Sequence, residues 1–168
     1  MAETDNTKKI VYIDLDHVLA DYEGGKCKVP KEIADALPWN ERWQEPAFNT
    51  VEGFFFNLDP MPDAVETVTA LHESGLYDLH VLTASPWENP GAAAEKISWV
   101  RKWFGEGRDN IFFRKITISH NKEKLKGDFL IDDRMDMNGA GQFEGEKIHF
   151  GTQKFPDWKA VREYLLGK

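Results

Sequence analysis

Apolar and polar positions along the chain fall into short blocks that read as strands and helices. Residues 10–14, IVYID, are β-branched, aromatic and apolar up to a closing aspartate, which predicts a buried strand. Residues 79–82, LHVL, predict a second strand ending at Thr83. Residues 115–119 alternate and predict a third. Residues 128–131 predict a fourth, ending in Asp132-Asp133, and residues 147–150 a fifth. Helical periods lie between them. Residues 64–74 place Val65, Val68 and Leu71 at helical spacing, with Asp63 as N-cap and Gly75 at the C-terminal end. Residues 92–104 place Ile97, Val100 and Phe104 on one face, and residues 157–166 predict a closing helix. His80 and His149 fall inside predicted strands, which predicts core histidines rather than ligands.

Strands alternating with helices predict an α/β fold: a mainly parallel five-stranded sheet flanked by helices and covered on both faces. Residues 22–56 break that rhythm. They hold Trp39, Trp43, Phe48 and the run Phe54-Phe55-Phe56, and Pro30, Pro38 and Pro46 cut them into short pieces. This predicts a small, mostly helical insert after the first strand. Residues 1–21 and 57–168 would then form one Rossmann-like core. The polar lead MAETDNTKK has no apolar signal core and is expected to be disordered.

Length and charge narrow the function classes. The 168 residues suit one domain with a small insert. Lysines and arginines number 21 against 29 acids, for a net charge of −8. Such a surface repels a polyanion, so long DNA or RNA is not an expected partner, whereas a small phosphorylated molecule held at one site is. The single cysteine, Cys27, excludes an internal disulfide and an all-cysteine zinc site, and reads as a bystander thiol. No apolar run approaches the ~18 residues of a membrane span, so no membrane partner is expected and a cytoplasmic setting is. A homodimer is compatible with the chain.

Three predicted strands end in polar residues: Asp14 and Asp16, then Thr83 and Ser85, then Asp132 and Asp133. In an open parallel sheet, ligands bind beyond the carboxyl ends of the strands. Carboxylates gathered there repel one another and resist ionisation, and a divalent cation relieves the repulsion. Hard oxygen donors without a histidine or cysteine cluster favour Mg²⁺. Asp14 and Asp16 lie on the same side of an extended chain and can divide nucleophile and acid roles between them.

The segment Asp14-Leu15-Asp16-His17-Val18 resembles the first motif of the haloacid dehalogenase (HAD) superfamily of phosphotransferases, and the likeness is closest to the 5′(3′)-deoxyribonucleotidases. It continues through residues 19–25 (LADYEGG), residues 54–62 (FFFNLDPMP), residues 82–86 (LTASP) and residues 127–134 (GDFLIDDR), in the family's order. The resemblance implies Asp14 as nucleophile, forming an aspartyl-phosphate. It implies Asp16 as general acid for the leaving alcohol and then general base for water. Mg²⁺ would bind the Asp14 side chain, the Asp16 carbonyl and Asp133, with Asp132 close by. Thr83 would bind phosphate; the family's Thr-Ser-Pro is one residue longer here, so Ser85 could replace or support it. A phosphate-holding lysine is needed too, with Lys122, Lys124 and Lys126 as candidates; family spacing favours Lys122. His17 stands where glycine is common and reads as a turn-edge residue.

By the same resemblance the insert would cap the site, hinged near Ala20-Asp21 and residues 58–60. It looks shorter than in the family's animal members. Tyr22 matches the base-packing position, and Trp43, with Trp39 and Phe48, could also meet a nucleobase. The implied function is a Mg²⁺-dependent phosphatase for deoxynucleoside monophosphates. A phosphatase for another small ester, such as a sugar phosphate, and a non-catalytic protein binding a phosphorylated ligand are the alternatives.

Overall fold

The computed structural model describes residues 7–167, so most of the polar lead lies outside the described residues. The strands are β1 (Lys9–Ile13), β2 (Trp39–Asn40), β3 (Glu45–Pro46), β4 (Tyr77–Thr83), β5 (Ile116–Ile118), β6 (Phe129–Asp132) and β7 (Glu146–His149). The helices are α1 (Tyr22–Lys28), α2 (Lys31–Ala36), α3 (Ala64–Glu73), α4 (Gly91–Phe104) and α5 (Trp158–Leu166). Five strands form one sheet in the order β5-β4-β1-β6-β7, and every neighbouring pair is parallel. The register sets Ile13 of β1 beside Val81 of β4 and Ile131 of β6, so β1 and β6 end within one residue of each other and β4 runs two residues further, to Thr83.

The path of the chain explains what covers each face. From β1 it moves outward to β4 and β5, then reverses to β6 and β7. Crossovers between parallel strands are right-handed, so connections made in opposite directions fall on opposite faces. Alternate residues Val11, Ile13, Leu79, Val81, Phe129 and Ile131 join one large buried core with Val68 and Leu71 of α3, Trp99 and Val100 of α4, and Val161 and Leu165 of α5. Burying such a side chain contributes about 1.5–3 kcal/mol each, so this face holds the fold together. The opposite face is thinner. Tyr12, Leu82 and Leu130 meet Ala140 and Phe143, carried by 3-10 turns and loops instead of long helices.

Local details depart from the sequence reading in four places. Ile97 is 40% exposed; the buried stripe of α4 is Ala92, Lys96, Trp99, Val100 and Phe104, a helical period that apolar counting misses because it contains a lysine. Asp63 does precede α3, but it sits at φ 61° and its side chain makes no capping bond. Asp157 does cap α5, accepting from the Ala160 N–H at 2.9 Å. His149 is exposed, with its Nε2 3.0 Å from the Asp133 carbonyl, while His80 is half-buried against Asp78.

The regular structure of residues 22–56 is mostly helical, as expected, with α1, α2 and a 3-10 turn at Phe48–Thr50, and adds an antiparallel β2–β3 hairpin. Their two ends are tied together. The Asp21 N–H donates to the Asp59 carbonyl at 2.8 Å, and Met61 N–H to Leu19 at 2.8 Å. Two buried indoles pin the same tethers: Trp158 Nε1 donates to the Val18 carbonyl at 2.7 Å, and Trp99 Nε1 to the Leu58 carbonyl at 2.8 Å. Gly25 allows α1 to approach closely, since a Cβ there would lie 2.1 Å from Leu58 Cδ2.

Trp158→Phe strips the donor from a buried carbonyl and leaves part of the indole volume empty. Urea unfolding should show a loss of at least about 2 kcal/mol. A change below about 0.5 kcal/mol would show that this bond does not anchor the first motif.

Candidate active site

Asp14 leaves β1 at its carboxyl end, and its N–H donates to the Ile131 carbonyl of β6 at 2.9 Å. The chain then turns tightly, with Leu19 and Ala20 N–H both bonded to the Leu15 carbonyl at 2.9 and 2.8 Å. His17 takes φ 62° in this turn, a left-handed conformation in which glycine is less strained. β6 ends at Asp132, with Asp133 next. The result is a cluster in which carboxylate oxygens of Asp14, Asp132 and Asp133 all lie within 4.8 Å of one another.

Lys122 enters this cluster; Lys124 and Lys126 stay exposed. Lys122 Nζ lies 3.1 Å from Asp14 Oδ1 and 2.6 Å from Asp132 Oδ2, and its side chain is 2% exposed. Burial pulls the ammonium down, but Asp14 and Asp132 outweigh it and hold the lysine above its ordinary range. Asp132 also accepts from the Arg134 N–H at 2.8 Å, so both its oxygens are engaged. Burial first, and then the charge of Asp14, pushes Asp132 up to about 6. Burial, Asp14 and Asp132 push Asp133 up to about 7, and among the described residues no cationic side chain pairs with it. Three hard oxygen donors gathered at one point, with Asp132 and Asp133 held above the ordinary carboxylate range, fit a divalent cation, with Asp14 and Asp133 freer to ligate than Asp132.

Asp16 faces a different partner. Lys96 of α4, 1% exposed, places Nζ 2.6 Å from Asp16 Oδ2, 2.6 Å from the Ala84 carbonyl and 3.3 Å from Thr83 Oγ1. Burial pushes the Asp16 carboxyl above its ordinary range; Lys96 pulls it back and Asp14 pushes it further up. Thr83 Oγ1 accepts from Lys96 and donates to the Ala84 carbonyl at 3.2 Å. The Ser85 hydroxyl, in contrast, is buried without a partner.

All of these groups but Lys96, which sits behind Asp16, line one cavity of about 650 Å³ between the sheet edge and residues 22–56. Tyr22 lines it, but His17 stacks on its ring at 4.7 Å and Phe54 meets it edge-on at 4.9 Å. Trp43 lines it with the guanidinium of Arg134 4.5 Å and that of Arg42 4.9 Å from its ring centre. Trp39 and Phe48 are not among the lining residues; Phe48 packs on the main core. Bonds beside the cavity tie residues 49–55 to α4 and the loop before it: Glu95 accepts from the Gly53 and Phe55 N–H groups at 2.8 and 3.1 Å, and Asn89 Nδ2 donates to the Asn49 carbonyl at 2.8 Å. Sequence reasoning missed Lys96, Arg42, Arg134 and Trp87, the last 87% exposed at the rim. Only Lys96 carried a readable signal, its place in the helical stripe of α4.

A parallel sheet with acidic strand ends, a two-lysine cluster and an inserted segment beside the cavity defines the class: a HAD-type hydrolase. The model of the 5′ nucleotidase, deoxy (pyrimidine), cytosolic type C family (NT5C) matches residues 8–159. The chain belongs to the 5′(3′)-deoxyribonucleotidase family of the HAD superfamily. A provisionally named 5′(3′)-deoxyribonucleotidase of Vibrio phage KVP40 is 38% identical over 96% of this chain and 86% of its own length. The mitochondrial 5′(3′)-deoxyribonucleotidase of Homo sapiens is 33% identical over 77% of this chain and 64% of its own. The fold also matches the crystal structure of a provisional HAD-hydrolase, YfnB of Bacillus subtilis, named as bound to magnesium. There the TM-score is 0.53 at 12% identity, covering 89% of this chain and 90% of that one. Among the described residues no helix is long and apolar enough to cross a membrane.

The raised carboxyls give a pH dependence with a definite sign. Asp132 at about 6 and Asp133 at about 7 bind protons more tightly when folded than at the ordinary 3.8, so without a cation they favour folding at low pH and lose that contribution as pH rises through 6 to 7. A cation competes with those protons. Added Mg²⁺ should therefore raise the melting temperature clearly at pH 8 and much less at pH 5.5. An equal rise at both would contradict ligation by these groups.

Proposed function

We propose that the chain is a Mg²⁺-dependent phosphomonoesterase acting on deoxynucleoside 5′- or 3′-monophosphates through an aspartyl-phosphate on Asp14. The observation that carries this reading is the gathering of buried Asp14, Lys122 and Asp132 with half-buried Asp133 at one sheet edge, in a chain of this family. Asp14, Asp133 and the Asp16 carbonyl would hold Mg²⁺, with Asp132 close by, and the ion would neutralise charge on the phosphoryl oxygens. Asp14 attacks phosphorus in line with the ester oxygen. Asp16, whose carboxyl burial holds towards the protonated form, gives its proton to the departing alcohol and later takes one from the hydrolytic water. Lys122 keeps Asp14 in place and receives the phosphoryl group's charge. The unpartnered Ser85 hydroxyl is available to the phosphate, while Thr83 shapes the same strand end.

Residues 22–56 act as a cap over residues 1–21 and 57–168, and keep water from the reacting centre. Tyr22 and Trp43 border the place where a nucleobase would lie. The engaged ring of Tyr22 suits an edge or wall better than a free stacking surface. The single thiol, Cys27, is exposed and free, which suits a reducing cytoplasmic setting.

Hydrolysis of dTMP and dUMP, set against ribonucleotides and sugar phosphates with and without EDTA, tests the reading. Activity should require Mg²⁺ and favour the deoxynucleotides; a preference for sugar phosphates would move the substrate elsewhere. Asp14→Asn should lower kcat by at least about 10³-fold with the melting temperature nearly kept, and unchanged turnover would remove Asp14 from the mechanism. Ser85→Ala should raise KM several-fold; no change would return the phosphate contact to Thr83.

A further inference from the structure

Lys96 is a buried charge to which the scheme above gives no task. A lysine in the apolar stripe of a helix is costly unless its three N–H donors are all satisfied. Here they are: Asp16 Oδ2, the Ala84 carbonyl and Thr83 Oγ1 take one each, and the face of Phe55 lies 4.6 Å from the ammonium. The ammonium is thus fixed on a tripod reaching from the turn after β1 to the end of β4. Its lever is rigid as well, because α4 is anchored by Trp99 in the core and by the Trp99–Leu58 bond.

That tripod divides the two oxygens of Asp16. Oδ2 is held by Lys96, whereas Oδ1 is buried with no partner at all. An unpartnered buried carboxyl oxygen is costly and needs an explanation, and Asp16 lines the cavity. We propose that Lys96 is a positioning residue: by holding Oδ2 it fixes the Asp16 carboxyl so that Oδ1 is the atom that exchanges protons with the substrate. The inference rests on the phosphatase reading and deepens it. In the first half-reaction the Asp14–phosphorus bond forms as the phosphorus–ester oxygen bond breaks, and the proton on Asp16 Oδ1 passes to the departing oxygen. In the second, water attacks phosphorus, the Asp14–phosphorus bond breaks, and the water proton returns to Oδ1. Lys96 keeps its own protons throughout. It sets the aim of the carboxyl and touches neither phosphorus nor the ester.

The position has a consequence that mere structural support lacks. A deoxyribose 5′-alkoxide leaves poorly without a proton, whereas a nitrophenolate leaves well without one. Losing the aim of Asp16 should therefore slow the two substrates unequally. The experiment compares Lys96→Met with the wild type on dUMP and on p-nitrophenyl phosphate. It follows release of the first product under single-turnover conditions with Mg²⁺ present, so that the shared water step is not read. Deoxyuridine release should fall about 10²-fold and nitrophenol release by less than about 5-fold. In an Asp16→Asn background, adding Lys96→Met should slow deoxyuridine release less than about 2-fold further, since the group being aimed is already gone. Equal losses on both esters would make Lys96 a phosphate-binding or purely structural residue and overturn the proposal; additive losses in the double variant would do the same. Lys96→Gln serves as a second variant read in the same way, and failure of both to fold would assign the lysine to stability alone. A wild type inactive on both esters would overturn the functional reading itself, and this proposal with it.

Discussion

Lys122 lies 3.1 Å from Asp14 and 2.6 Å from Asp132, out of water, and the arrangement of the sheet edge depends on that contact. A buried carboxylate beside another resists ionisation, and a buried ammonium resists protonation, so neither is stable there alone. Together they offset much of each other's cost. The balance is incomplete: among the described residues, Asp14, Asp16, Asp132 and Asp133 gather around two buried lysines, Lys96 and Lys122. Fully ionised, the group carries a surplus of two negative charges. Burial first, and then the charge of the neighbouring aspartates, pushes Asp132, Asp133 and Asp16 upward, and a divalent cation would offset the charge part of that push.

The sheet brings these charges together through topology. β1 is central, and its neighbours β4 and β6 are reached by connections running in opposite directions. The strand ends therefore meet where the chain reverses, which is where open α/β sheets leave a crevice. The face carrying α3, α4 and α5 supplies the apolar burial, and α4 also delivers Lys96. The opposite face, closed by short turns, delivers Lys122 on the 3-10 turn Lys122–Lys124. The two lysines thus reach the acids from separate connections, one to Asp16 and one to Asp14, which keeps the two aspartates in different surroundings two residues apart.

Much of this was legible in the sequence, for identifiable reasons. The buried strands read correctly because a strand covered on both faces is a continuous apolar run, as in residues 10–13 and 129–131. The acidic strand ends read correctly because they interrupt those runs abruptly. Lys96 did not, because a counting scheme based on apolar residues passes over a lysine and settles on Ile97, one position round the helix. The β2–β3 hairpin did not, because strands of two residues leave no period to detect. The engagement of Tyr22 by His17 and Phe54 depends on packing within the insert, which the order of residues does not disclose. His17 read as a turn-edge residue at a glycine position, and it is held at positive φ in the first motif turn.

The central claim is that the crowded edge exists so that Asp14 can carry a phosphoryl group. It is tested most directly by acid-quenching a single turnover with radiolabelled deoxynucleotide and mapping the label by peptide digestion. The label should appear transiently on the peptide containing Asp14. Label that never resides on the protein, or that maps to a different residue, would contradict the account.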